Sequence, residues 1–219
     1  MLEDREGETR GHLPREDREL ETDELELDLQ DNEWPFTYTD HDRVIVRAIV
    51  VDDCGYYYFM RAERDDDFGR ATLIETSGGG VEPGETPDEA IRRELREELG
   101  AEVELLCRIG TVSDRYNLIH RHNLNHYYLC RAVRFGEKHL TEDEIDRYHL
   151  TTLRLTYEEA AAEYEKRRDS RLGRLIAARE LPVLERAKAL LEKAVQECFK
   201  TLPEKPEAVR SVPEAGAQT

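Results

Sequence analysis

The hydrophobic pattern changes period along the chain, and the changes mark its elements. Residues 43–51 (RVIVRAIVV) are β-branched and nearly continuous, as in a strand buried on both faces. Asp52-Asp53-Cys54-Gly55 is a turn cluster, and residues 56–61 (YYYFMR) read as the returning strand. After a polar loop at 65–69 the pattern predicts a short strand at 72–76, then strands near 102–113, 123–133 and 150–155. A 3.6-residue period replaces alternation at 87–99, where Ile91, Leu95 and Leu99 form one apolar stripe. The last third is helical by the same test: 157–168, then 171–181, then a segment after Pro182 carrying Leu184, Leu191, Val195 and Cys198. No internal repeat is visible.

Composition sharpens the ends of this map. The 219 residues carry 32 basic and 50 acidic side chains, a formal charge of −18. Residues 1–33 hold 14 acids and 4 bases with few β-branched or aromatic residues, so they read as an acidic, disordered arm. The alternation Leu25-Glu26-Leu27-Asp28-Leu29 leaves a short edge strand open as the other reading. Residues 203–219, with Pro203, Pro206 and Pro213, read as a frayed tail. The expected organisation is therefore an arm at 1–33, a domain at 34–165, a helical extension at 166–202 and a tail at 203–219. The extension is a packed layer that also suits a homodimer surface.

Such acidity argues against stable nucleic-acid binding through phosphates. No apolar run approaches the roughly 20 residues of a membrane helix, and the N-terminus lacks the pattern of a secretory signal. Four scattered cysteines without a C-x-x-C pair suit reduced thiols, so a cytoplasmic protein is expected.

The chemistry concentrates in residues 78–101, GGGVEPGETPDEAIRRELREELGA. The glycines Gly78, Gly79, Gly80 and Gly84 predict a tight loop whose amides are available to phosphate or carboxylate oxygens. Thr86-Pro87-Asp88-Glu89 is a helix start with a capping box, and Gly100 is the matching stop. Glu94, Glu97 and Glu98 stand at i, i+3 and i+4, on one face. Three like charges one turn apart gain nothing structurally. They become favourable around a hard divalent cation such as Mg²⁺, which takes oxygen ligands and shares its shell with phosphates.

This segment resembles the signature of the Nudix hydrolase family, G-x5-E-x7-R-E-U-x-E-E-x-G-U, with U a bulky aliphatic residue. The pattern falls on Gly79, Glu85, Arg93, Glu94, Leu95, Glu97, Glu98, Gly100 and Ala101, and only Ala101 departs from it. The resemblance implies an α/β (α+β) fold, a Nudix-type α/β/α sandwich with a mixed sheet, here followed by the helical extension. It implies Mg²⁺ (or Mn²⁺) held by Glu94, Glu97 and Glu98, with Glu85 reaching an outer metal or holding the loop against the helix. Gly79 and Gly80 would lie against the substrate's phosphates, and Arg93 would orient the carboxylates. The implied reaction is hydrolysis of a diphosphate bond in a nucleoside diphosphate linked to a further moiety. Glu97 or Glu98 would act as general base, or a Glu of a later loop, where Glu142 and Glu144 sit. The alternative is a catalytically silent nucleotide-binding regulator on the same fold.

Other features have plainer readings. His120, His122 and His126 would share one face of a strand with Leu124, as solvent-facing or substrate-lining side chains. Trp34-Pro35-Phe36 reads as an anchor packing the arm onto the domain. Tyr56, Tyr57 and Tyr58 read as strand residues, and Tyr116 is a weak pointer toward dinucleoside polyphosphates.

Overall fold

The computed structural model describes residues 24–201, without the side chains of 143 and 197–201. The expectations for residues 1–23 and 203–219, and the place of Cys198 in the last apolar stripe, lie outside the described residues. The first element corrects the arm: β1 (Leu25–Leu29) pairs in parallel with β6 (Ala101–Tyr116). Its leucines pack on the core, while Asp28 pairs with Arg115 and accepts from Ser113. The close approach requires Gly110, where a Cβ would meet the Leu25 carbonyl oxygen at 2.0 Å. Asp31 is buried and accepts the Asn117 backbone N–H at 2.7 Å, and Trp34 meets the Phe68 ring edge-on at 5.3 Å. The anchor at Trp34 therefore exists, whereas Phe36 beside it is exposed.

The continuous apolar run becomes β2 (His41–Val51), which pairs in parallel with β7 (Arg121–Phe135) along its length. β3 (Tyr57–Asp66) returns antiparallel but meets β2 only at Val50 and Val51 before splaying away. The splayed strand pairs instead with β4 (Gly69–Glu75) and β8 (Thr151–Leu155). Into the gap on β2 fits β5 (Ser77–Gly80), paired antiparallel with Ile45 to Ala48. The glycine segment is thus a strand, not the predicted loop. Gly78 makes this possible, because at φ 146° a Cβ would overlap the Val46 carbonyl oxygen at 2.0 Å.

Alternation along β2 divides the interior into two cores. Val46, Ala48 and Val50 face α1 (Pro87–Leu99) with its buried Ala90, Ile91, Leu95 and Leu99. Ile49 and Val51 face α2 (Tyr157–Lys166) and α3 (Arg171–Thr201) on the other side. The result is a mixed sheet between helical layers, as the resemblance implied. α3 is one helix through Pro182, where a break had been expected. An interior proline costs about 3 kcal/mol. Burial of Ile176, Ala177, Val183, Leu184 and Ala187, at roughly 1.5–3 kcal/mol for each large side chain, outweighs it.

Candidate metal and phosphate site

α1 forms where the local chemistry demanded. Thr86 accepts from the Glu89 N–H, Glu89 reciprocates to the Thr86 N–H at 2.9 Å, and Gly100 closes the helix in the left-handed region at φ 65°. Burying Ile91, Leu95 and Leu99 turns the glutamates toward β5 and its neighbouring loops. Gly79 lies against Glu94 so closely that a Cβ would meet Oε1 at 2.4 Å. The Gly78 N–H donates to Glu98 Oε2 at 3.0 Å. The glycine amide in use therefore serves a carboxylate of the helix.

Arg93 organises the rest. Its Nε and Nη2 grip Glu85 in a fork, both at 2.9 Å, and Nη2 also reaches the Gly80 carbonyl at 3.1 Å. Nη1 donates to Glu94 at 2.7 Å and to Glu97 at 3.2 Å. This cation holds Glu85 below the ordinary carboxylate range, chiefly through its direct hydrogen bonds.

The nearby cations do not offset burial at Glu94 and Glu98. Burial pushes the Glu98 carboxyl up to about 8, against the Gly78 N–H, and the Glu94 and Glu144 carboxylates add to the shift. Glu94 is raised too, by burial first, in spite of Arg93. Both carboxyls are therefore raised, because the surrounding positive charge does not offset their burial. Among the described residues no three acidic, histidine or cysteine side chains already converge as they would on a bound ion. The donor set is nevertheless hard oxygen, concentrated on one helical face. Those properties fit Mg²⁺ or Mn²⁺.

Glu98 opens onto a cavity of about 200 Å³ bounded by Gly78, Thr76, Arg47, Met60, Arg64 and Glu144, among others. Of the two later-loop candidates, Glu144 lines this cavity, with its carboxylate also accepting from the Thr141 N–H at 2.7 Å. Glu142 is exposed and lies outside it. Gly79 and Gly80 flank the carboxylates through Glu94 and Arg93 respectively.

The histidines do not gather here. His120 sits in a left-handed turn before β7, stacked on Tyr38 at 4.0 Å, so the predicted common face does not include it. His122 bonds Asp42 and His126 neighbours Arg108. Tyr116 is buried on the α3 side, accepting from Arg179 at 2.9 Å. Sequence reasoning missed Arg47, Arg64 and Glu75 as cavity walls; the one available signal was a charged Arg47 inside an apolar run.

The family model of the NUDIX domain matches residues 41–175, which contain every element of this site. The chain belongs to the NUDIX family. A solved NUDIX hydrolase from Nitrosomonas europaea shares the fold, with a TM-score of 0.52 and 19% identity over 68% of this chain and 90% of its own. Among curated proteins, the nucleoside triphosphatase NudI of Enterobacter sp. (strain 638) is 69% identical over 64 residues. Its counterpart in Escherichia coli K12 is 44% identical over 63 residues. Each alignment covers 29% of this chain and 43% of the relative, so the chain spans less than half the length of these curated NUDIX relatives. Among the described residues no helix is long and apolar enough to cross a membrane.

Proposed function

We propose that this NUDIX protein hydrolyses a diphosphate bond in a nucleoside diphosphate derivative, using Mg²⁺ with Mn²⁺ as a substitute. The observation that carries the reading is one face of α1 that sets the Glu94 and Glu98 carboxylates against the glycine strand, with Glu98 opening onto a cavity. The names of the NudI relatives, nucleoside triphosphatases, support a nucleotide as substrate. Glu94, Glu97 and Glu98 would hold the cation, with Glu85 behind them. When bound, it would supply charge neutralisation for the diphosphate and a more acidic water.

The chain's own residues do the remainder. Arg93 spans Glu85, Glu94 and Glu97 and sets the spacing of the carboxylates. Gly79, lacking a Cβ, lets the strand pack directly against the Glu94 carboxylate and so holds that side chain in place. Glu98 and Glu144 both face the cavity, and Glu97 stands one helical turn from Arg93. Any of these three carboxylates would take the proton from the attacking water. Arg47 and Arg64 on the cavity wall offer positive charge to the departing nucleotide's phosphates.

The test is a panel of nucleoside triphosphates, nucleotide sugars and dinucleoside polyphosphates with Mg²⁺, with product analysis to locate the cleaved bond. Turnover of at least one member, lost in Glu97→Gln, is the expected result. Nucleotide binding without turnover at any Mg²⁺ or Mn²⁺ concentration would make the protein a nucleotide-binding regulator instead.

A further inference from the structure

The C-terminal helix carries two adjacent ionisable residues that the reaction does not use, and both are fully buried. Arg179 is 1% exposed and Glu180 is 0% exposed. Removing charges from water costs several kcal/mol per ion unless each is paired and hydrogen-bonded. Here every partner is supplied. Arg179 donates to Asp114 at 2.8 Å and to the Tyr116 hydroxyl at 2.9 Å, and its Nε reaches Glu180 at 3.0 Å. Glu180 accepts from the Tyr127 hydroxyl at 2.9 Å, and both its oxygens lie 3.3 Å from the Thr76 hydroxyl. Asp114 in turn accepts from Asn123 and Asn125, and Asn125 accepts from Arg47 at 3.1 Å.

Thr76 is where this network leaves the α3 side. It joins β4 to β5, and besides its hydroxyl it is held by Arg47, which donates to its carbonyl at 3.3 Å. Two residues on, the Gly78 N–H donates to Glu98, and the next residue packs against Glu94. β5 is four residues long, three of them glycine, and so brings almost no side-chain packing of its own. Its position is set by pairing with β2 and by whatever fixes its ends. Thr76 is the end fixed by Glu180.

We propose that Glu180 is a positioning residue: through Thr76 it fixes the glycine strand on which the Glu94 and Glu98 carboxylates rest. The C-terminal helix is then part of the scaffold of the metal site. This inference rests on the reading of Glu94 and Glu98 as cation ligands. Its tests read the scaffold separately from turnover.

The experiment compares the full chain with Glu180→Gln, Thr76→Val and Thr76→Ser. The readouts are thermal melting, hydrogen exchange at the Gly78 amide, Mn²⁺ affinity by electron paramagnetic resonance, and steady-state kinetics on whichever nucleotide is turned over. Glu180→Gln and Thr76→Val should accelerate Gly78 amide exchange, weaken Mn²⁺ binding by about tenfold and lower kcat with KM nearly unchanged. Thr76→Ser, which keeps the hydroxyl, should restore wild-type values. Thr76→Val leaves the buried ion pairs intact, so it decides the matter even if Glu180→Gln folds poorly. Lower melting temperatures with unchanged Gly78 exchange and Mn²⁺ affinity would overturn the proposal and leave Glu180 as a purely structural residue. If no nucleotide is turned over, the proposed function fails, while exchange and Mn²⁺ binding still judge the positioning role.

Discussion

Both faces of the central sheet bury acids, but they supply cations very differently. On the α3 side, burial alone would raise Asp114, yet Arg179, Asn123 and Asn125 more than offset it and hold the carboxyl below its ordinary range. Glu75, in the wall between the two sides, is likewise pushed up by burial and then drawn down by Arg64, Arg47 and Arg179. On the α1 side the compensation falls short: Arg93 draws Glu94 down, and the Gly78 N–H and Arg47 draw Glu98 down, yet burial keeps both carboxyls above their ordinary range. Acids compensated from within the chain act as scaffold. Acids left only partly compensated would favour a cation from outside, as the proposed function requires.

Removing the uncompensated acid tests this contrast hardest. Glu98→Gln should lower nucleotide hydrolysis by about 10²–10⁴-fold while the fold survives, since a neutral side chain relieves a charge deficit. Circular dichroism and steady-state kinetics on the same preparation check both halves. On the opposite face the expectation reverses. Arg179→Met strips Asp114 and Glu180 of their buried partner and should cost about 3–5 kcal/mol of stability, read from urea unfolding.

Two smaller effects sharpen the comparison. Glu85→Gln frees one side of Arg93, so Mg²⁺ affinity should fall about 10- to 100-fold, measurable as the Mg²⁺ concentration needed for half-maximal rate. The two faces should also respond oppositely to pH in protein kept metal-free with a chelator. The raised Glu98 holds its proton in the native state up to about 8, against an ordinary 4.5 when unfolded, so its contribution to stability declines as pH rises through that window. Asp114 and Glu75 have lowered values, so their contribution is present above the unfolded values of 3.8 and 4.5 and is lost as pH falls through the native ones. Melting temperature should therefore drop between pH 5 and 8 in wild type, and that slope should vanish in Glu98→Gln.

The two faces were unequally legible in the amino-acid sequence, for a physical reason. α1 is specified by contiguous residues: a capping box spanning Thr86 to Glu89, an apolar stripe at intervals of four, and carboxylates one turn apart. Every one of these relations lies within a single helix and its flanking loop. Glu180 meets Thr76 across 104 positions, and Arg47 meets Asn125 across 78. No local pattern announces such partners. The glycine strand shows the same limit, because its residues have no strand propensity and pair with β2 only once the tertiary fold opens a gap there. α3 passes Pro182 for a related reason, since burial against the sheet overrides the local breaker. The different settings of Glu142 and Glu144 also emerge only in the fold, which lines the cavity with Glu144 and leaves Glu142 exposed.

The most direct measurement is Mn²⁺ binding at neutral pH, without nucleotide, to wild type, Glu98→Gln and Glu94→Gln. The account predicts binding by wild type that weakens at least tenfold in both variants. Equal affinity in all three proteins would contradict it.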